Sequence, residues 1–213
     1  LPAEITEEVH SLHKDLAIKK NINLLVVSKI DRNLVLQGDP IRLKQILINL
    51  ITNAIKFTNQ GQITVVIASE EIQDASVMLH LEVSDTGIGI SRENLHKIFE
   101  EFVQLDSDPT QKQRGAGLGL SIVKKLVTLH NGKIDVESVA GKGTRFILQI
   151  PYQKGNPDHI RKKFTEKLTI PSWFSQIHFL IVDDEEFNLY LIKNILRNWG
   201  AAFTEAHNGQ EAV

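Results

Sequence analysis

The chain has 213 residues, 42% of them hydrophobic, with 24 Lys+Arg against 26 Asp+Glu and a formal net charge of −2. That length holds one sizeable domain and part of another, and the near-balance of charge excludes a global field for nucleic acid or an anionic membrane. No cysteine occurs, which excludes disulfides and thiolate metal sites and fits a reducing compartment.

Apolar residues at Ile5, Val9, Leu12, Leu16 and Ala17 predict a first helix over 2–20, acidic enough (from Glu4) not to read as a signal peptide. Residues 21–28 and 34–37 read as strands. Asp39-Pro40 is a helix start, and the helix runs to about Phe57. After the turn Asn59-Gln60-Gly61, strand 63–69 pairs with strand 77–84. Ser91 caps a short helix into Ile98-Phe99. Residues 103–114 are polar and aperiodic, as in a functional lid or a disordered loop. A helix over 118–130 ends at Asn131-Gly132, and strands 133–138 and 144–150 form a hairpin around Gly141 and Gly143. This order predicts an α/β fold, a two-layer sandwich of a mixed sheet with helices on one face.

The expected first domain covers 1–151. Residues 152–176 read as a linker, with a solvated basic cluster at Arg161-Lys162-Lys163. Residues 177–182 then predict a fully buried strand, followed by Asp183-Asp184, a helix over 186–199, Gly200 as its stop and a strand over 201–206. The longest apolar runs, such as Ile46-Leu47-Ile48 and 179–182, fall far below the ~18–20 residues of a bilayer span. A start at Leu1 and an end at Val213 inside a helical pattern read as a piece of a longer protein.

Two glycine-rich turns carry the chemistry: Asp85-Thr86-Gly87-Ile88-Gly89-Ile90 and Gly115-Ala116-Gly117-Leu118-Gly119-Leu120. Glycines let a backbone approach phosphate and aim its N–H groups at it, and the second turn opens a helix whose dipole favours an anion. Upstream, Asn49, Asn53 and Lys56 share one helix stripe. Asparagine offers a carbonyl oxygen to a hard cation, and lysine offers a point charge to phosphate. Asp85 ends an alternating strand, where a carboxylate can accept from an exocyclic amine. Phe57, Phe99 and Phe102 are core or lid anchors, with Phe57 best placed to stack on a purine. Each of these residues taken alone has an ordinary structural explanation: a solvated helix face for the stripe, a turn-forming Asp for Asp85. The eight histidines show no metal-ligand spacing, and surface or helix positions are the default for each.

The combination, over 1–151, resembles the catalytic ATP-binding domain of sensor histidine kinases, within the ATPase class shared with gyrase and MutL. Residues 45–58 match the N-box, 85–90 the first glycine box, 98–102 the F-box, 115–120 the second glycine box, and Gly141-Lys142-Gly143-Thr144 the last. The resemblance implies ATP and Mg2+ as ligands. Asn53 and Asn49 would hold the magnesium, Lys56 would contact phosphate, Phe57 would pack on adenine and Asp85 would accept from its amine. Gly87, Gly89, Ile90 and Thr144 belong to the base side of the ATP site, and Gly115, Gly117, Leu118, Gly119 and Leu120 to its phosphate side. Residues 91–114 would form the lid, with Arg114 reaching the γ-phosphate. Arg114, Ala116 and Gln104 depart from the common pattern, which leaves room for a degenerate, nucleotide-independent docking module. A gyrase-like dimer clamp would want an acidic base on the N-box helix, where there is none.

Residues 177–213 resemble the start of a response-regulator receiver domain, with Asp183 and Asp184 as its magnesium-binding acidic pair. The implied parent is a hybrid histidine kinase, cytoplasmic at this domain and in some cases membrane-anchored elsewhere, working as a homodimer. Its partners would be a histidine-bearing dimerisation domain and the receiver, with no nucleic acid and no membrane contact from this segment. Both phosphoacceptor residues fall outside the sequence.

Overall fold

The computed structural model describes residues 1–73, 75–103, 117–157 and 172–213, which fall into two compact units, one up to 157 and one from 172. In the first, helix α1 (Pro2–Lys19) leads into β1 (Ile22–Lys29) and the short β2 (Leu36–Gln37). Helix α2 (Pro40–Phe57), β3 (Gly61–Gln73), β4 (Ser76–Asp85), α3 (Gly119–Leu129), β5 (Lys133–Val139) and β6 (Gly143–Lys154) follow. The sheet order is β1-β3-β4-β6-β2, with β5 also on β6, and only the β1–β3 pair is parallel.

Helix α2 forms where its signals place it. Asp39 Oδ1 accepts from the N–H groups of Ile41 and Arg42, and Pro40 lies in the first turn. Its buried residues, among them Leu43, Ile46, Leu47, Leu50, Ile51 and Ala54, recur at helical spacing and meet alternate residues of β3 (Ile63, Val65, Ile67) and β4 (Leu79, Leu81, Val83). Each such Leu, Ile or Val side chain contributes about 1.5–3 kcal/mol on burial, so this face seats α2 and fixes the direction of its polar stripe. Helix α3 ends in a left-handed cap at Asn131 (φ 55), with Asn131 N–H on Thr128 O and Gly132 N–H on Val127 O.

Three local expectations change. Residues 92–99 are successive turns, with N–H bonds from Asn94 to Ser91 O, Lys97 to Asn94 O and Glu100 to Lys97 O, so no α-helical ladder starts at Ser91. Strand β2 is confined to Leu36–Gln37. Strand β6 continues past 151 to Lys154: Pro151 falls between the last β5 pair (Lys133↔Gln149) and the first β2 pair (Gln37↔Gln153), where the outer edge asks for no partner.

His13 keeps its expected helix position, on α1, with its side chain fully buried between α1 and α2. Its Nδ1 lies 2.7 Å from Val9 O and must donate there, leaving Nε2 to accept from Thr52 Oγ1 at 3.2 Å. Burial lowers its pKa below 6.5, with the Val9 bond acting against it. The unfolded chain therefore takes up this proton first as pH falls. Stability from this site is full above about 6.5 and declines below it, by at most ~1.4 kcal/mol per pH unit. Urea melts from pH 8 to 5 should show that decline, and a shallower one in His13→Leu.

The second unit contains a 3-10 helix (Ser172–Gln176), β7 (His178–Val182), α4 (Glu186–Asn198) and β8 (Ala202–Ala206), with β7 and β8 parallel. The expected fully buried strand is not found: Ile181 is buried, but Leu180 and Val182 are 52% and 45% exposed. Only one face of this two-stranded sheet is packed by α4, through Leu189 and Leu196.

Candidate functional site

Strand pairing brings the chemistry to one end of the larger sheet. Asp85 closes β4 opposite Ile63, and Ser138 and Thr144 face each other across β5 and β6. Asp85 Oδ1 accepts from Gly87 N–H at 2.8 Å and from Thr144 N–H at 3.3 Å. Burial raises the Asp85 pKa, and these two N–H groups pull it down only in part. A partly buried carboxylate held at one oxygen leaves the other for a ligand that donates.

Close approach explains the glycines here. A Cβ on Gly87 would lie 2.3 Å from Phe57 O, which accepts from Ile88 N–H at 3.1 Å and ties the end of α2 to the first glycine turn. Gly89 adopts φ 65 against Val139 O, and Ile88 O accepts from Gly141 N–H at 2.7 Å. The hairpin of β5 and β6 is thereby docked on the same turn.

The polar stripe of α2 lies against the start of α3. Asn49 and Asn53 are half-buried, and a Cβ on Gly119 would lie 3.4 Å from Asn49 Oδ1 and 3.7 Å from Asn53 Nδ2. Neither asparagine amide makes a hydrogen bond among the described residues. Helix α3 starts at Gly119 behind Leu118 with no side-chain cap among the described residues, the kind of helix start whose N–H groups favour an anion. Gly117 (φ 67) packs on the backbone of Phe102 and Val103, and its carbonyl accepts from Phe102 N–H. Ile90 and Leu120 pack against the core beside these turns.

The aromatic residues divide. Phe57 is 36% exposed with Lys56 Nζ 5.7 Å from its ring, Phe99 packs edge-on to Phe146, and Phe102 is 72% exposed. Arg114 and Gly115, the lid from 104 onward and the basic cluster at 161–163 lie outside the described residues. Hollows of about 290 Å3 near Asp31 and Lys154 and about 520 Å3 near Phe99 and Lys124 include none of the polar site residues. Among the described residues, no cluster of three His, Asp or Glu could hold a metal.

Two residues escaped sequence reasoning. Lys20 Nζ donates to Ile55 O at 2.8 Å and so caps the end of α2. Ser138 links Ile90, Gly143 and Thr144; the available signal was a polar residue in the inward register of Ile134 and Val136.

Residues 38–154 match the family model described as "Histidine kinase-, DNA gyrase B-, and HSP90-like ATPase". The chain belongs to this family. Across 99% of its length it is 35% identical, over 211 residues, to the autoinducer 2 sensor kinase/phosphatase LuxQ of Vibrio cholerae, and it spans 24% of that protein. Over 139 residues it is 40% identical to the sensor histidine kinase GacS of Pseudomonas protegens, covering 65% of this chain and 15% of that protein. The catalytic domain of histidine kinase ThkA superposes with a TM-score of 0.54 at 33% identity, over 70% of this chain and 92% of that domain. The chain thus carries the ATP-binding catalytic domain of hybrid sensor histidine kinases, on the expected α/β fold. The gyrase-like resemblance is one of family, and α2 of this chain carries no acidic side chain.

In the second unit, Asp183 and Asp184 follow β7. Asp183 accepts from Glu185 N–H at 2.8 Å and, with both oxygens, from Asn188 Nδ2 at 3.1 Å.

Proposed function

We propose that this domain binds Mg-ATP between α2, the first glycine turn and the start of α3, and positions the γ-phosphoryl for transfer to a histidine. Two pairings support the reading, Asp85 with Thr144 and Gly119 with Asn49 and Asn53, linked by the end of α2 at Phe57 O lying against the first glycine turn. Asp85 and Thr144 take the adenine edge, with Gly87, Gly89 and Ile90 beside it and Phe57 against the ring. Lys56 and the N–H groups around Leu118, Gly119 and Leu120 take phosphate. The sequence resemblance alone assigns Arg114, Gly115 and Gly117 to a lid and its hinge.

Magnesium fits the donor set. Asn49 and Asn53 present amide oxygens, hard ligands suited to a cation that keeps several waters and shares phosphate oxygens. Bound there, the ion would neutralise charge on the triphosphate, and the side chains would orient it; such transfer needs positioning more than covalent chemistry. The lack of an acid on α2 favours transfer to a partner group over activation of water.

In the whole protein, the acceptor histidine would sit on a dimerisation domain of a homodimeric parent, and the phosphoryl would pass on to a receiver aspartate. Residues 177–213 supply the receiver's first β-α-β unit, with Asp183 and Asp184 as its cation ligands, joined to the catalytic domain by a linker that begins after Lys154. No described helix is long and apolar enough to cross a membrane. The likeness to sensor kinases supports a cytoplasmic place for this domain within a parent that can carry a membrane anchor.

Calorimetric titration with a non-hydrolysable ATP analogue tests the site. Asn53→Ala should weaken binding about tenfold in magnesium and by less than about twofold in EDTA, as expected for loss of a metal ligand. An equal loss under both conditions would remove Asn53 from the metal.

A further inference from the structure

We propose that Ser138 sets base specificity by fixing the hydroxyl of Thr144 as an acceptor only. This rests on the reading of Asp85 and Thr144 as the adenine edge of the site. Ser138 Oγ has one proton and two lone pairs. Its proton goes to Gly143 O at 2.8 Å, because a carbonyl can only accept. One lone pair takes Ile90 N–H at 2.8 Å. The remaining lone pair faces Thr144 Oγ1 at 3.0 Å and receives the threonine proton.

Thr144 then has no proton to offer a ligand. Its hydroxyl proton is committed to Ser138 and its own N–H to Asp85 Oδ1. Beside it on this edge stands the Asp85 carboxylate, which also only accepts when ionised. A base edge bearing an exocyclic amine satisfies such a wall, whereas a ring carbonyl in the same place meets lone pairs and is rejected. Ser138 need not touch the nucleotide to do this, so it is a positioning residue. Thr144 is almost fully buried, which limits its access to a replacement partner.

Replacing Ser138 with alanine leaves Thr144 free to rotate and donate. Inosine triphosphate, which carries a carbonyl where ATP has its amine, is the probe. Calorimetry on the full chain with ATP and inosine triphosphate should show a preference for ATP. Ser138→Ala should shrink that preference about fivefold to tenfold, the worth of one hydrogen bond, and Ser138→Thr should retain it. A merely structural role would weaken both nucleotides together and leave their ratio intact; an unchanged ratio in Ser138→Ala overturns the proposal. Should that variant fail to fold, Thr144→Val takes its place: removing the lone pairs should also shrink the preference, and an unchanged ratio sinks the idea. A parent chain that binds no ATP overturns the adenine reading and this inference with it. A parent that prefers ATP through Asp85, with Ser138→Ala unaltered, removes only the inference.

Discussion

Asp85→Asn should raise the melting temperature of the chain while weakening ATP binding by about tenfold to a hundredfold, the range for losing a hydrogen bond to a charged group. The two effects share one cause. Burial raises the folded pKa of Asp85 above 3.8, against the pull of the Gly87 and Thr144 N–H groups. The folded chain therefore holds this proton more readily than the unfolded one. The stability contributed is present below the unfolded pKa and is lost as pH rises through the folded value, so at neutral pH the ionised carboxylate is a burden on the fold. Asparagine keeps an oxygen for the two N–H groups at 2.8 and 3.3 Å and carries no charge. Its amide nitrogen, however, turns a donor toward the ligand's amine. Thermal melts at pH 7 and calorimetry check both halves. A lower melting temperature would mean that the backbone bonds to the carboxylate outweigh its burial.

Gly143→Ala should cost about 2–5 kcal/mol, combining left-handed strain with an overpacked contact, and should abolish tight nucleotide binding. Gly143 has φ 104, and a Cβ there would lie 1.9 Å from Asp85 O and 2.8 Å from Asp85 C. These are backbone atoms of the carboxylate-bearing turn, so relief requires β6 to move away from Asp85. Gly141, in the same hairpin, has φ 79 and nothing within 4 Å of its added Cβ. Gly141→Ala should therefore cost only the left-handed penalty, about 1–2 kcal/mol, and leave binding near that of the parent. Urea melts of the two variants, paired with nucleotide titration, separate the cases. Equal losses at both positions would show that hairpin conformation alone, not the contact with Asp85, governs the site.

Much of this was legible because local signals agreed with the packing. Asp39-Pro40 and the apolar repeat from Leu43 to Ala54 specify both the start of α2 and its buried face, which leaves Asn49, Asn53 and Lys56 on a separate stripe. Alternation in Leu79, Leu81 and Val83 places Asp85 in the inward register at the strand end. Other features depend on neighbours that the sequence does not name. Val9, His13 and Ala17 recur every four residues on the inner face of α1, yet a histidine there reads as polar surface until Thr52 and Val9 O are seen to satisfy its ring. Pro151 reads as a strand end, and only the gap between β5 and β2 along β6 shows why it is tolerated. Ser91 looks like a helix cap, but the turns that follow each span three residues and never join into a ladder. The hydroxyl of Ser138 matters through Ile90 and Thr144, which come from separate segments of the chain.

A single nucleotide site is most directly tested by two-dimensional NMR, titrating a non-hydrolysable ATP analogue with magnesium into the isotope-labelled chain. Backbone amides of Asn53, Gly87, Gly119 and Thr144 should shift together along one saturation curve with one dissociation constant. Shifts confined to other parts of the sheet, or separate curves for the α2 and β6 residues, would contradict a common pocket.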